Sequence, residues 1–206
     1  MHTATHVFAL VFAITYGYFE VATANATTTT THVRDKGVFA VFEDTQGDIR
    51  TLVTVNSTTQ RVVESGPGGP VVTPLTQVTI FQENTATGDV LLNASGNTTE
   101  QALNISNDLQ SATLQATVPL QDQVSGTVFP TTLDLTFTST GEPVTIHSVF
   151  RFSEPGFRFT SVFKGTQQAA VATGSVIGLG MNFTPNASTD AQIQENQAGS
   201  FVTIQQ

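Results

Sequence analysis

Apolar and polar residues exchange with a period of two along most of this chain. No window beyond the first residues sustains the 3.6-residue period of an amphipathic helix. Residues 131–138 (TTLDLTFT) alternate most strictly, with Leu133, Leu135 and Phe137 on one side. Residues 37–43 (GVFAVFE) and 49–55 flank the turn Thr45-Gln46-Gly47-Asp48. Residues 75–82 and 89–94 flank Thr85-Ala86-Thr87-Gly88. Residues 144–152 and 157–164 form a hairpin about Ser153-Glu154-Pro155-Gly156, after the turn Thr140-Gly141-Glu142-Pro143. Shorter strands are predicted over 61–64, 102–105, 112–120, 169–177 and 201–204. Residues 56–59, 93–99 and 182–195 read as polar turns or loops. Ser65–Pro70 (SGPGGP) is a loop, because proline lacks the ladder donor and glycine has nothing to pack. About ten strands with mostly short connections predict an all-β fold: a single antiparallel β-sandwich or a meander β-barrel. The alternation fits both equally.

Composition agrees with the pattern. Charged residues are only 11% of the chain, and Thr takes their place as the main surface polar group. Threonine is β-branched and suits a half-wet pleated surface. Fifteen Phe with no Trp point to Phe-filled layers. The net charge of −9 disfavours nucleic acid and anionic membrane surfaces as partners. The chain has no Cys, which excludes disulfides and thiolate metal sites.

The first residues read as a targeting segment. Residues 7–19 (VFALVFAITYGYF) form an apolar run too short to span a bilayer. Small residues at Ala22, Ala24 and Ala26 give two cleavage patterns, although the segment before them has His2 and His6 and no Lys or Arg. The organisation is therefore a signal peptide over 1–26, a Thr-rich spacer over 27–35 and one β domain over 36–206, with no membrane span in the mature chain. Seven of the ten asparagines lie in N-x-[ST] sequons: Asn25, Asn56, Asn93, Asn97, Asn104, Asn182 and Asn186. Such an excess has meaning on an exported chain, where it marks wet turns open to glycosylation. Asn25 falls at the cleavage site, which leaves six candidates.

One constellation carries chemistry. Three of the seven Lys and Arg, namely Arg151, Arg158 and Lys164, lie with His147 on the last well-defined hairpin. Odd positions of its first strand oppose even positions of its second. His147, Val149 and Arg151 thus share a side with Arg158, Thr160, Val162 and Lys164. The other side carries Phe150, Phe152, Phe157, Phe159 and Phe163 and is expected to be core. The basic side would then be exposed or line a cavity, and offers an anion-binding site on an acidic protein. An ordinary solvated face, paired with the surplus Asp and Glu, is the competing expectation.

Other candidates carry less. Glu43, Asp44 and Asp48 surround a turn but match no calcium-loop spacing. SGPGGP lacks the Lys-Ser/Thr of a phosphate loop. No G-x-S-x-G elbow accompanies His147. No cofactor and no metal site is expected. Three functions stay open: a secreted or surface-exposed, non-catalytic β domain that binds another protein, a glycan or itself; a barrel carrier of a small apolar or anionic ligand; and a barrel enzyme using His147 and Arg151.

Overall fold

The structure, a computed structural model, describes residues 27–204. Every regular element among them is a strand: β1 (Thr27–Gln46), β2 (Ile49–Glu64), β3 (Val71–Asn84), β4 (Val90–Thr98), β5 (Gln101–Ile105), β6 (Ser111–Asp122), β7 (Val128–Ser139), β8 (Val144–Glu154), β9 (Phe157–Gly178), β10 (Met181–Asn182) and β11 (Asp190–Ile204). All pairings are antiparallel and belong to one sheet. The sheet closes on itself. The ring runs β9, β11, β1, β2, β3, β4, β6, β7 and back to β9. Of the two all-β architectures compatible with the alternation, the ring-like bonding is that of a barrel.

The strands are longer than local patterning predicts. Residues 56–59 do not turn: Asn56 stands opposite Phe39 on β1 and Gln77 on β3. Likewise 157–178 is one strand, and most of 182–195 is strand β11. A ladder on both flanks satisfies every backbone group, and this outweighs the local turn preference of Asn, Ser and Thr. The Thr run 27–31, expected as a spacer, pairs with residues 200–204 of β11. The expected leader over 1–26 and the Asn25 sequon lie outside the described residues.

The inside of the ring is apolar and filled. Val38, Ala40, Val53, Val55, Ile80, Leu114, Leu120, Leu135, Phe137, Ala172, Val176 and Ile193 are fully buried there. Each large aliphatic or aromatic side chain so buried stabilises the fold by about 1.5–3 kcal/mol. Towards one end the interior turns polar. Ser57 and Thr76 share a hydrogen bond of 2.9 Å, and Ser57 donates to Gln101 Oε1 at 2.8 Å. Thr76 also bonds Gln101, whose Nε2 donates to the Thr58 carbonyl at 2.9 Å. Gln101 thus ties β5 to β2 and β3 across the end of the barrel. Buried Gln168 joins this layer and donates to the Gly141 carbonyl at 2.7 Å.

Beyond that polar layer four strands run on. Residues 27–37 of β1, 58–64 of β2, 157–167 of β9 and 194–204 of β11 leave the ring. With β8 on one edge and residues 71–75 of β3 on the other, they form a six-stranded overhang. Their pairings continue from the barrel with no register shift, so the side facing the core in the barrel stays one side throughout.

Closure is narrowest between β4 and β6, where only Ala94 pairs Asp122 and Ser95 pairs Gln121. Gly96 lies so close to β6 that a Cβ there would meet the Pro119 carbonyl oxygen at 2.0 Å. Asp122 locks the seam. Its carboxylate accepts from the N–H groups of Asn93, Val124 and Ser125 and from the Ser125 hydroxyl at 2.6 Å. The Ser125 hydroxyl is the main cause that holds its pKa down to about 2, against the opposing effect of burial, with the three N–H groups adding to it. A depressed carboxylate stabilises the fold above its unfolded pKa, and that contribution is lost as pH falls through the folded value. Asp122→Ala is therefore expected to lower Tm at neutral pH, with the gap to wild type closing as pH falls from about 4 to about 2. Thermal melts across that range check this; a gap independent of pH would contradict it.

Candidate anion-binding face

The register places the basic hairpin of the sequence in a wider setting. β8 and β9 pair His147 with Lys164 and Arg151 with Thr160, as the odd-to-even parity requires. Lys164 pairs Gln197 of β11, Gln197 pairs Arg34 of β1, and Arg34 pairs Arg61 of β2. His147, Lys164, Gln197, Arg34 and Arg61 thus form one row across five strands. Four inter-strand steps of about 4.8 Å put its ends about 19 Å apart. Lys36 lies on the same side in the adjacent row towards the barrel, and Arg151 and Arg158 lie on it two and three rows further out. Six of the seven Lys and Arg of the chain therefore share the inner side of the overhang, together with His32 and His147.

The row next to this one, further from the barrel, is different in character. Val149, Val162, Gly199, His32 and Val63 occupy it in strand order. Phe201 follows one row beyond, edge-on to His32 with ring centroids 5.8 Å apart. A charged row thus runs beside an apolar one.

Glu195 is the one carboxylate on the inner side of the overhang among the described residues. It accepts from Arg34 Nε at 2.7 Å and faces Lys36 Nζ at 3.5 Å. Burial pushes its carboxyl up, but hydrogen bonds from Gln197 and Arg34 and the charges of Lys36 and Arg34 more than offset this and hold it below its ordinary value. Arg50, at the far end of the barrel, pairs with Glu43 and Glu83. Among the described residues these are the ion pairs, and Arg61, Arg151, Arg158 and Lys164 take part in none. The surplus carboxylates lie elsewhere.

The Phe-rich side of the hairpin is not core. It is the outer side of the overhang, where Phe150 is 60% and Phe152 44% exposed. Phe150 leans on Phe159 and Phe152 on Phe157, each with centroids 6.1 Å apart. Alternation tells which residues share a side. Which side is inward follows from continuity with buried Ile193 and Gln168 in the barrel.

The sequence signal missed half of the cations. Arg34 sits in the segment read as a spacer and Arg61 beyond a supposed turn. Extending the hairpin about Gly47 would have found them, because its register already sets Arg34 opposite Arg61. Of the sequon asparagines, Asn104 and Asn186 fall as expected, in a strand and a loop, whereas Asn56, Asn93, Asn97 and Asn182 lie in strands rather than turns or loops. Asn186 Nδ2 donates to Asp44 at 2.8 Å. Asn93, Asn97, Asn104, Asn182 and Asn186 are exposed, and Asn56 is half-buried on the outside of β2.

His147 and Arg151 share a side of β8 but stand four residues apart, so their Cα atoms are separated by about 13 Å. No group of three His, Asp or Glu able to hold a metal occurs among the described residues. A shallow depression of about 330 Å³ lies at the β8–β9 turn, between Ser153, Arg158 and Thr203. No helix of the described residues is long and apolar enough to cross a membrane. The chain matches no protein-family model, and no curated sequence is significantly similar to it. Its class is set by architecture and site: a closed antiparallel barrel with a cationic overhanging sheet.

Like charges directly opposed across strands destabilise a sheet. Arg61→Gln, which removes the charge opposite Arg34, is therefore expected to raise Tm at low ionic strength, with the gain shrinking as salt screens the pair. Melts at low and high salt check this; a loss of stability at low salt would contradict it.

Proposed function

We propose that the protein is an exported, non-catalytic binding domain that holds an anionic partner against the inner side of its overhang. One observation carries the reading. A chain of net charge −9 gathers six of its seven Lys and Arg on one side of one sheet, two of them, Arg34 and Arg61, directly opposed, and leaves four without an ion pair among the described residues. Such an arrangement costs stability, and a site for an anion is what it offers in return. Arginine presents a planar fork to carboxylate, sulfate or phosphate, and lysine adds point charge.

Export is supported by the apolar leader and the sequon excess. The strand-borne sequon asparagines Asn56, Asn93, Asn97 and Asn104 all belong to β2, β4 and β5, away from the cationic row, so glycans there would leave it open. A carrier would need room inside the barrel, and the inward positions are filled by buried side chains. A catalytic role for His147 and Arg151 finds no support in two exposed side chains set apart along one edge strand.

Chromatography on a sulfated-polysaccharide resin tests the proposal. Despite a sequence pI near 4.6, the wild type is expected to be retained at low salt and released by added salt. The triple variant Arg61→Glu, Arg158→Glu, Lys164→Glu should flow through, while Arg50→Gln at the far end should behave as wild type. Flow-through of the wild type, or equal loss in the Arg50 variant, would refute the reading.

A further inference from the structure

We infer that the anionic partner is a linear acidic polysaccharide lying across the strands of the overhang, along the row from His147 to Arg61. The inference rests on the reading that the inner side holds an anionic partner, and it adds the partner's shape and chemistry.

Cations that bind a compact anion converge on one point. Here Lys164, Arg34 and Arg61 are set out in a line by cross-strand pairing, with the neutral amide of Gln197 inside the line and His147 at its end. The row runs perpendicular to the strands over about 19 Å. A linear chain with charges at regular intervals meets all of these groups at once, and no small anion does.

The neighbouring row sets the chemistry. Val149, Val162, His32 and Val63 give an apolar shelf parallel to the charges, and Gly199 leaves a gap in its middle. A pyranose that carries an acid group has this same division, a charged edge and a face of C–H groups. Single-stranded nucleic acid needs a series of stacking aromatics beside its phosphates. Among the described residues the inner side has three aromatic rings, His32, His147 and Phe201, and His32 and Phe201 already meet edge-on. The inner side's own carboxylate, Glu195, is neutralised by Arg34 and Lys36, so it does not repel a polyanion lying one row away.

The prediction concerns length, charge and shelf separately. Size-fractionated oligogalacturonates and size-matched sulfated oligosaccharides, titrated calorimetrically from the monomer upward, should bind more tightly with length until the chain spans the row, then reach a plateau. Arg61→Gln removes one end of the row and should move the plateau to shorter chains. It should also lower the slope of log affinity against log salt by about one. Val162→Thr should weaken binding several-fold and leave that slope unchanged, because it touches the apolar shelf alone.

A plateau in either series supports the inference. Binding without length dependence overturns it, as does tighter binding of a single-stranded oligonucleotide of equal charge. A concentration-dependent mass lost in the triple variant would put a second copy of the chain on the face and also overturn it. If the sulfated resin retains the wild type while no oligosaccharide of any length binds, this inference falls and the anion-binding reading stands. If the resin fails as well, both fall.

Discussion

The unbroken register of β1, β2, β9 and β11 is the constraint on which the rest of the structure depends. In each strand the residues that point into the barrel and those on the inner side of the overhang have the same parity. The strands therefore read as a graded column. Ala40, Ala191 and Val55 make an apolar layer. The next layer is mixed, with Ser57, Thr76 and Gln168 beside Val38 and Ile193, and Gln101 caps its polar part. Lys36 and Glu195 follow, and then the cationic row. One bulge in β9 beyond Gln168 would turn Lys164 outwards and bring Phe159 and Phe163 inwards, and one in β1 or β2 would do the same to Arg34 or Arg61. The barrel thus fixes where charge stands some distance from its own core.

Charge segregation extends over the molecule. The turns between β1 and β2 and between β3 and β4 meet at the opposite end, where Thr85 N–H donates to the Asp48 carbonyl at 2.7 Å. Glu43, Asp44, Asp48, Glu83 and Asp89 gather there around Arg50. On the proposed reading, a negative pole at that end would turn an approaching anion towards the overhang. On the overhang itself Asp35, Glu64 and Glu154 lie on the outer side, and only Glu195 stands among the cations.

Much of the architecture was legible in the sequence and part of it was not. The period-two pattern and the turns at Gly47, Gly88 and Gly156 identified the strands and their antiparallel order, because those signals are local. Closure was not legible. It depends on two residue pairs between β4 and β6 and on the close approach that Gly96 permits, contacts between distant segments that no periodicity encodes. The parity of the basic hairpin was readable and agrees with the register, whereas the side that faces inward was misread. A Phe-rich side normally marks core, and here it lies outside because β8 is an edge strand, every residue of which is exposed among the described residues. Arg34 and Arg61 stayed hidden for a related reason. Their segments, rich in Thr and Gln, become strand only through pairing on both flanks.

Cysteine footprinting tests the central claim most directly, since the chain has no cysteine of its own. Single cysteines would be placed one at a time at residues 160 to 164 of β9, and their rates of thiol alkylation compared with and without polygalacturonate. The account predicts that protection alternates: strong at Thr160, Val162 and Lys164, absent at Ser161 and Phe163. Uniform protection, or protection confined to Ser161 and Phe163, would contradict it.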